Sequence, residues 1–291
     1  MLSLPCEVKL DIFKFFSYEE LCSIKQTNLY FRDFIDNFEG ELAREKFHSI
    51  YIEYLNQSRE VPHKLKVKED FDFDFFAEQQ KEINEQIEQK WSNGLQDQIR
   101  LYLPDRGLIG YSSIICLTRV HDNERRIRIQ LPNIIKTKND IKIVYYHLNK
   151  LFNCYFVYAN FNNFIFNPEL LQLLFGNAKL SKQFYVMRAF LMPSKAYTSE
   201  NLIKFVVNHL ICKFYVIKFI FKYYTKEYIN ILNKILINGD KFKNVNIICS
   251  HSIPELFDLV INVGFLYVLF FFEIKSNKPQ SFELFLVRNP N

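Results

Sequence analysis

Between Leu4 and Asp36 the apolar residues recur three and four positions apart, the spacing of helices with one apolar side. Pro5 suits a first helical turn, where a missing N–H costs nothing. Val8, Ile12 and Phe15/Phe16 then mark one side of a first helix. Ser17-Tyr18-Glu19-Glu20 has the form of a capping box, so a second helix starts at once and carries Leu21 and Ile24. Thr27 or Asn28 can cap a third helix with Phe31, Phe34, Ile35 and Phe38 on one side. Leu42, Ala43, Phe47 and Ile50 predict a fourth helix after Gly40. Residues 56–75 read as an extended connector, and helix resumes from about Glu78 to about Arg100 on a stripe of Ile83, Ile87 and Trp91. Trp91, the single tryptophan, reads as a core anchor. Pro104-Asp105-Arg106-Gly107 is a turn, and Ser113–Val120 and Arg126–Leu131 form a hairpin whose Arg126, Arg128 and Gln130 alternate with Ile127, Ile129 and Leu131.

From about residue 150 the period changes. Strand-like runs at Cys154–Phe161, Gln183–Leu191, Lys213–Phe221, Val245–Cys249 and Leu266–Ile274 alternate with helical runs at Pro168–Phe175, Glu200–Leu210, Glu227–Ile237 and Pro254–Val263. The helix signals are local: Asn167-Pro168-Glu169 is a cap, a first-turn proline and an acid, and Ser252-x-x-Glu255 is a capping box. Recurrent strand–helix units predict parallel strands on one side and helices on the other. The rhythm resembles a leucine-rich-repeat arc, although no run keeps that repeat's consensus frame; a compact α/β layer would use the same elements. The phase of each strand stays open. In Lys213–Phe221 the outward set is either Lys213, Tyr215, Ile217 and Phe219 or Phe214, Val216, Lys218 and Ile220.

Composition narrows the picture. With 49% apolar and 24% charged residues, the 291-residue chain can bury a sizeable core. Phe 31 and Tyr 17 against Gly 7 means that rings dominate the packing. Residues 1–45 hold nine acids and five bases, so of a net charge of +5 they carry −4 and the remainder +9. Lysine on solvated faces accounts for most of this, so no nucleic-acid partner is expected. Cys6, Cys22, Cys116, Cys154, Cys212 and Cys249 lie far apart in apolar runs, the pattern of reduced buried thiols rather than of a metal site. No nucleotide-binding glycine loop, zinc-hydrolase motif or nucleophile elbow occurs, so no cofactor, no metal and no catalytic residue is expected. No segment reads as a leader peptide, and Phe265–Phe272 is too short to span a bilayer, which favours a cytoplasmic or nuclear protein with no membrane partner.

The opening residues carry a resemblance. Leu4-Pro5, Glu7, Ile12, Phe16 and the Leu21 that follows the capping box resemble an F-box, matched without a gap to Asp36. Thr27 and Phe31 stand where that family frequently has Val and Trp. KQTNLYFRDFIDNFEGELAREKF, LFNCYF and FIFNPELLQLLF further resemble a large F-box family of plant-parasitic nematodes. The resemblance implies a non-catalytic, substrate-recruiting subunit of a cullin–RING ubiquitin ligase. Its F-box (1–50) would hold the adaptor, and through it the cullin, by Leu4, Pro5, Val8, Ile12, Phe16 and Leu21. A connecting helical and hairpin region (51–150) would lead to an α/β repeat region (151–291). The repeats would hold an unidentified target on a strand face over residues 183–274, lined by aromatics and lysine, including Tyr215 and Tyr223, and suited to an acidic or mixed partner. The alternative is a scaffold or effector that sequesters a protein partner without ubiquitin transfer.

A cytoplasmic or nuclear life requires all six cysteines to be thiols. Intact-mass measurement after alkylation in denaturant under non-reducing conditions should show six modifications; any intramolecular disulfide would contradict this compartment.

Overall fold

A proline, a serine and an asparagine set the first three helices. Pro5 precedes α1 (Cys6–Phe13) and its carbonyl accepts from the Lys9 N–H at 3.0 Å. Ser17 caps α2 (Tyr18–Lys25) reciprocally: its Oγ accepts from the Glu20 N–H at 3.3 Å, and its own N–H donates to Glu20 Oε2 at 2.7 Å. Asn28, rather than Thr27, caps α3 (Leu29–Asn37), with Oδ1 accepting from the Phe31 N–H at 2.9 Å. This computed structural model describes residues 4–54, 63–66, 99–104, 113–120, 126–176, 182–192, 199–219, 244–249, 267–275 and 278–287, with 230, 233, 234 and 237.

The three helices close on a core of their own. Phe13 is fully buried, with ring centroids 5.7 Å from Phe16, 5.9 Å from Phe31 and 5.2 Å from Phe34. Leu21, Ile35 and Leu42 complete it. Phe13, which the apolar stripe of the sequence passes over, is therefore the inward residue of α1.

The expected fourth helix is instead strand β1 (Glu45–Tyr54). Phe47 and Ile50 are both buried although three apart, because His48 is an extra residue opposite β5 (Ser113–Arg119) and the register shifts there. A β-bulge thus reproduces a helical spacing inside a strand. Beyond it Ile50 and Ile52 alternate normally.

β1 lies inside a ten-stranded mixed sheet. The other strands are β2 (His63–Lys66), β5, β6 (Arg126–Gln130), β8 (Cys154–Phe161), β10 (Phe184–Leu191), β11 (Leu210–Phe219), β12 (Asn244–Cys249), β13 (Tyr267–Lys275) and β14 (Lys278–Val287), in the order β13-β14-β12-β11-β10-β8-β1-β5-β6-β2. The central run β12-β11-β10-β8-β1 is parallel throughout. Antiparallel strands flank it: β5 and β6 form the expected hairpin, while β13 pairs with β14 rather than extending the parallel series. Two short ladders, β3 (Ile99–Arg100) with β7 (Ile134–Ile135) and β4 (Tyr102–Pro104) with β9 (Phe164–Phe166), stand apart. The expected boundary at residue 50 falls within β1. Ile99 and Arg100, expected at the end of a helix, are strand; the rest of that helix, with Trp91, and the helices expected at 227–237 and 254–263 lie outside the described residues apart from the four isolated positions.

A helix leads into each of three parallel strands: α4 (Lys138–Phe152) before β8, α5 (Pro168–Phe175) before β10, and α6 (Ser199–His209) before β11. Six helices are described in all. Thr137 caps α4 with Asp140 in a capping box, and Asn167 Oδ1 caps α5 by accepting from the Glu169 N–H at 3.1 Å. Ile141, Val144 and Leu148 of α4, Leu170 and Leu174 of α5, and Phe205 and Val206 of α6 share one core with the inward side of the sheet. The chain is therefore mixed α/β, with a large, mostly parallel sheet covered on one side.

Phe184 sits at the centre of that core, its ring 4.6 Å from Phe152, 5.1 Å from Phe166, 6.2 Å from Phe161 and 6.3 Å from Phe205. Phe184→Ala should lower the unfolding free energy by ~3–5 kcal/mol in urea titration. Phe15→Ala, at a ring 90% exposed, should change it by less than about 0.5 kcal/mol.

Candidate functional site

On the side of the sheet away from the described helices, outward residues of β10 and β11 are exposed, and the composition of this face follows from a repeated irregularity. Inward residues are two apart along β1, β8, β10 and β11 except at one step of three in each: Phe47 to Ile50, Phe156 to Ala159, Val186 to Ala189, and Cys212 to Tyr215. These steps lie side by side, since Phe47, Phe156, Val186 and Cys212 are in register, as are Ile50, Ala159, Ala189 and Tyr215. Each strand thereby turns two consecutive side chains outward at one level: His48 and Ser49, Val157 and Tyr158, Met187 and Arg188, Lys213 and Phe214. Met187 is 38% exposed, and Ile211, one row below, 41%.

Cations lie against the rings of this face. The Arg188 guanidinium is 5.9 Å from the Tyr158 ring and Lys213 Nζ is 5.4 Å from the Phe214 ring. His48 meets Tyr158 edge-on at 5.1 Å. Outward positions of β8, β10 and β11 between Tyr155 and Val216 carry no acid.

Towards β5 and β6 the same face becomes polar and closed. Arg128 is only 2% exposed and pairs with Glu53 Oε1 at 2.9 Å, with Cys116 beside both. The polar side of this hairpin is thus held by a buried ion pair, and Arg128 serves the fold. Burial, and then Cys116 and Glu53, push the Tyr51 phenol up to about 12, while Arg126 lies 5.7 Å over its ring. Burial likewise pushes the buried thiols up, Cys116 and Cys154 far above the usual range and Cys212 to about 12.

The residues singled out in the sequence divide by depth. Tyr215 is fully buried and its hydroxyl donates to the Leu210 carbonyl at 3.4 Å, so it is a core residue and not a lining residue of the open face. The outward phase of β11 is the one with Phe214 and Val216. Tyr223 lies outside the described residues. Among the six N-terminal residues, Leu21 is buried and Phe16 packs on the small helical core. Leu4, Pro5 and Val8 are exposed, Val8 by 44%, and Ile12 is half-buried outside that core. With Phe15 they leave an apolar stripe on the solvent side of α1.

A polar joint ties the helices to the sheet. Arg44 Nη1 donates to the Phe152 carbonyl at 2.7 Å, satisfying the C-terminus of α4, and its guanidinium lies 3.7 Å over the Tyr185 ring. Asn153 Nδ2 donates to Glu39 Oε2 at 2.6 Å. Tyr18 bonds the Glu45 carboxylate. Burial raises both carboxyls above their ordinary value, with Lys25 and Lys182 opposing it at Glu39. No signal in the sequence marks Glu39, Arg44 and Asn153 as partners, because 108 residues separate Arg44 from Phe152.

Among the described residues no group of three or more His, Cys, Asp or Glu side chains could hold a metal, and no helix is long and apolar enough to cross a membrane. A family model described as a domain of unknown function (DUF8381) matches residues 77–220, a little under half of the chain. No curated protein and no solved structure matches it.

The joint has a pH signature. A carboxyl whose folded value is raised binds its proton more tightly in the folded state, so its unfavourable contribution grows as pH rises from its unfolded value. Glu39→Gln keeps an acceptor for Asn153 and removes that dependence. Urea titrations should show the native protein gaining stability relative to the variant as pH falls from neutral towards the ordinary carboxylate range. The opposite slope would mean that Lys25 and Lys182 outweigh burial.

Proposed function

We propose that this chain is a non-catalytic, substrate-recruiting subunit of a cullin–RING ubiquitin ligase. Its N-terminal helices act as an F-box on the adaptor, and its strand–helix units form an irregular, leucine-rich-repeat-like body that holds a target protein. The observation that carries the reading is the outward apolar stripe of α1. Leu4, Val8, Ile12 and Phe15 are left partly or wholly in solvent although the three helices have a closed core of their own. An apolar stripe that the fold does not need is what a docking helix presents. The open face of the parallel sheet gives the target a separate surface, and the joint at Arg44 and Glu39 would hold the two surfaces in fixed relation. Five free cysteines among the described residues suit a cytoplasmic or nuclear protein.

Of the residues the F-box resemblance assigns to adaptor contact, Leu4, Pro5, Val8 and Ile12 are proposed to make it. Phe16 and Leu21 support them from the core side. Ile12→Asp would bury an unpaired carboxylate against the adaptor, a cost of several kcal/mol. Co-purification with the adaptor and cullin should be lost while the melting temperature holds. Undiminished co-purification would sink the assignment. If the complex forms but a reconstituted reaction transfers no ubiquitin to any co-purified protein, the chain is a scaffold.

A further inference from the structure

The open sheet face carries more than a general capacity to bind. Three features of it select an occupant. First, Lys46, Arg188 and Lys213 are exposed and among the described residues no ion pair engages them, while Glu53, further along β1, is held by Arg128. Second, the aligned three-residue steps put an apolar and a basic side chain next to each other at one level, Met187 beside Arg188 and Lys213 beside Phe214. Third, two of its rings already carry cations, Arg188 by Tyr158 and Lys213 over Phe214. Rings so occupied do not offer a free face for stacking nucleobases, which single-stranded nucleic acid would use.

We propose that this face binds an acidic, extended protein segment laid across β1, β8, β10 and β11, with carboxylates on Arg188 and Lys213 and apolar side chains on Met187 and Phe214. Strands ~4.8 Å apart make this tier about 14 Å wide, the length of about four extended residues. Alternating acidic and apolar side chains match the alternation of cation and apolar group along it. That the segment belongs to a protein recruited for ubiquitin transfer rests on the function proposed above; that the face takes an acidic segment does not.

The test uses the full chain without adaptor and a fluorescein-labelled peptide of alternating Glu and Leu, read by fluorescence anisotropy. A Lys/Leu peptide of equal length and an oligouridylate are the comparison probes. The Glu/Leu peptide should bind saturably in the micromolar range and more weakly as salt rises. Arg188→Glu with Lys213→Glu should weaken it by at least about tenfold, with an unchanged melting temperature. Arg188→Ala with Lys213→Ala, which introduces no new charge, should weaken it less but in the same direction. Absence of saturable binding, equal binding of the Lys/Leu peptide, or indifference to both double variants overturns the proposal. Tighter binding of the oligouridylate makes the face a nucleic-acid surface, and self-association abolished by the same variants makes it a contact between copies of the chain; either outcome overturns it. Adaptor co-purification is scored separately on the Arg188/Lys213 variants. On the native chain, saturable peptide binding without adaptor capture overturns the ligase reading alone, and adaptor capture without peptide binding overturns this one alone.

Discussion

Everything in this molecule depends on the parallel pairing of β1 with β8. The pairing aligns Glu45 with Cys154 and Tyr51 with Asn160. It places a strand from the beginning of the chain inside the sheet, with the β5–β6 hairpin on one edge and the series β8, β10, β11, β12 on the other. Without it the chain would fall into three pieces: a helical trio, a hairpin and a repeat array. With it, the helical trio ends directly on a central strand, and Arg44, the residue before β1, reaches the end of α4. Contacts of such sequence separation are costly to close in entropy and are rewarded only once both strands are seated.

The two sides of the sheet answer to different constraints. On the covered side, Phe161, Phe184 and Phe205 form one continuous ring cluster with Phe152 and Phe166. Seven glycines and forty-eight Phe and Tyr residues in the whole chain leave ring packing, not tight backbone turns, as the main means of closing that layer. On the open side, the three-residue steps lie at one level. A single displaced strand would put its side chains on the wrong side of its neighbours, so the irregularity has to be shared by all four. The outcome is a tier with twice the usual density of outward side chains, built without cost to the core.

The N-terminal helices show the same division on a smaller scale. Phe13, Leu21, Phe34 and Ile35 close inward, and Lys9 is drawn in with them, donating to the Tyr30 hydroxyl. Val8 and Phe15 remain outside. Three short helices bury little surface by themselves. The polar joint at Glu39, Arg44 and Glu45 supplies further attachment, at the expense of two carboxyls removed from water.

The local sequence by itself determined the helix starts at Ser17 and Asn167, the spans of β8 and α5, and the hairpin of β5 and β6, and narrowed the start of α3 to Thr27 or Asn28. Caps, prolines and alternating residues act over a few positions and need no distant partner. α4 has no counterpart among the expected elements, although Thr137, Asp140 and the spacing of Ile141, Val144 and Leu148 mark it locally; Asp in place of Glu at the third position hides its capping box. Tertiary structure alone decided that residues 45–54 are strand, since a bulge at His48 imitates helical spacing and only pairing with β5 and β8 distinguishes the two. It decided that β13 turns back on β14. It also decided depth: Tyr215 and Leu21 are core, Met187 and Val8 are surface. Periodicity reports that one side of an element is apolar; whether that side meets the protein's own interior or a partner is set by which elements have already covered it.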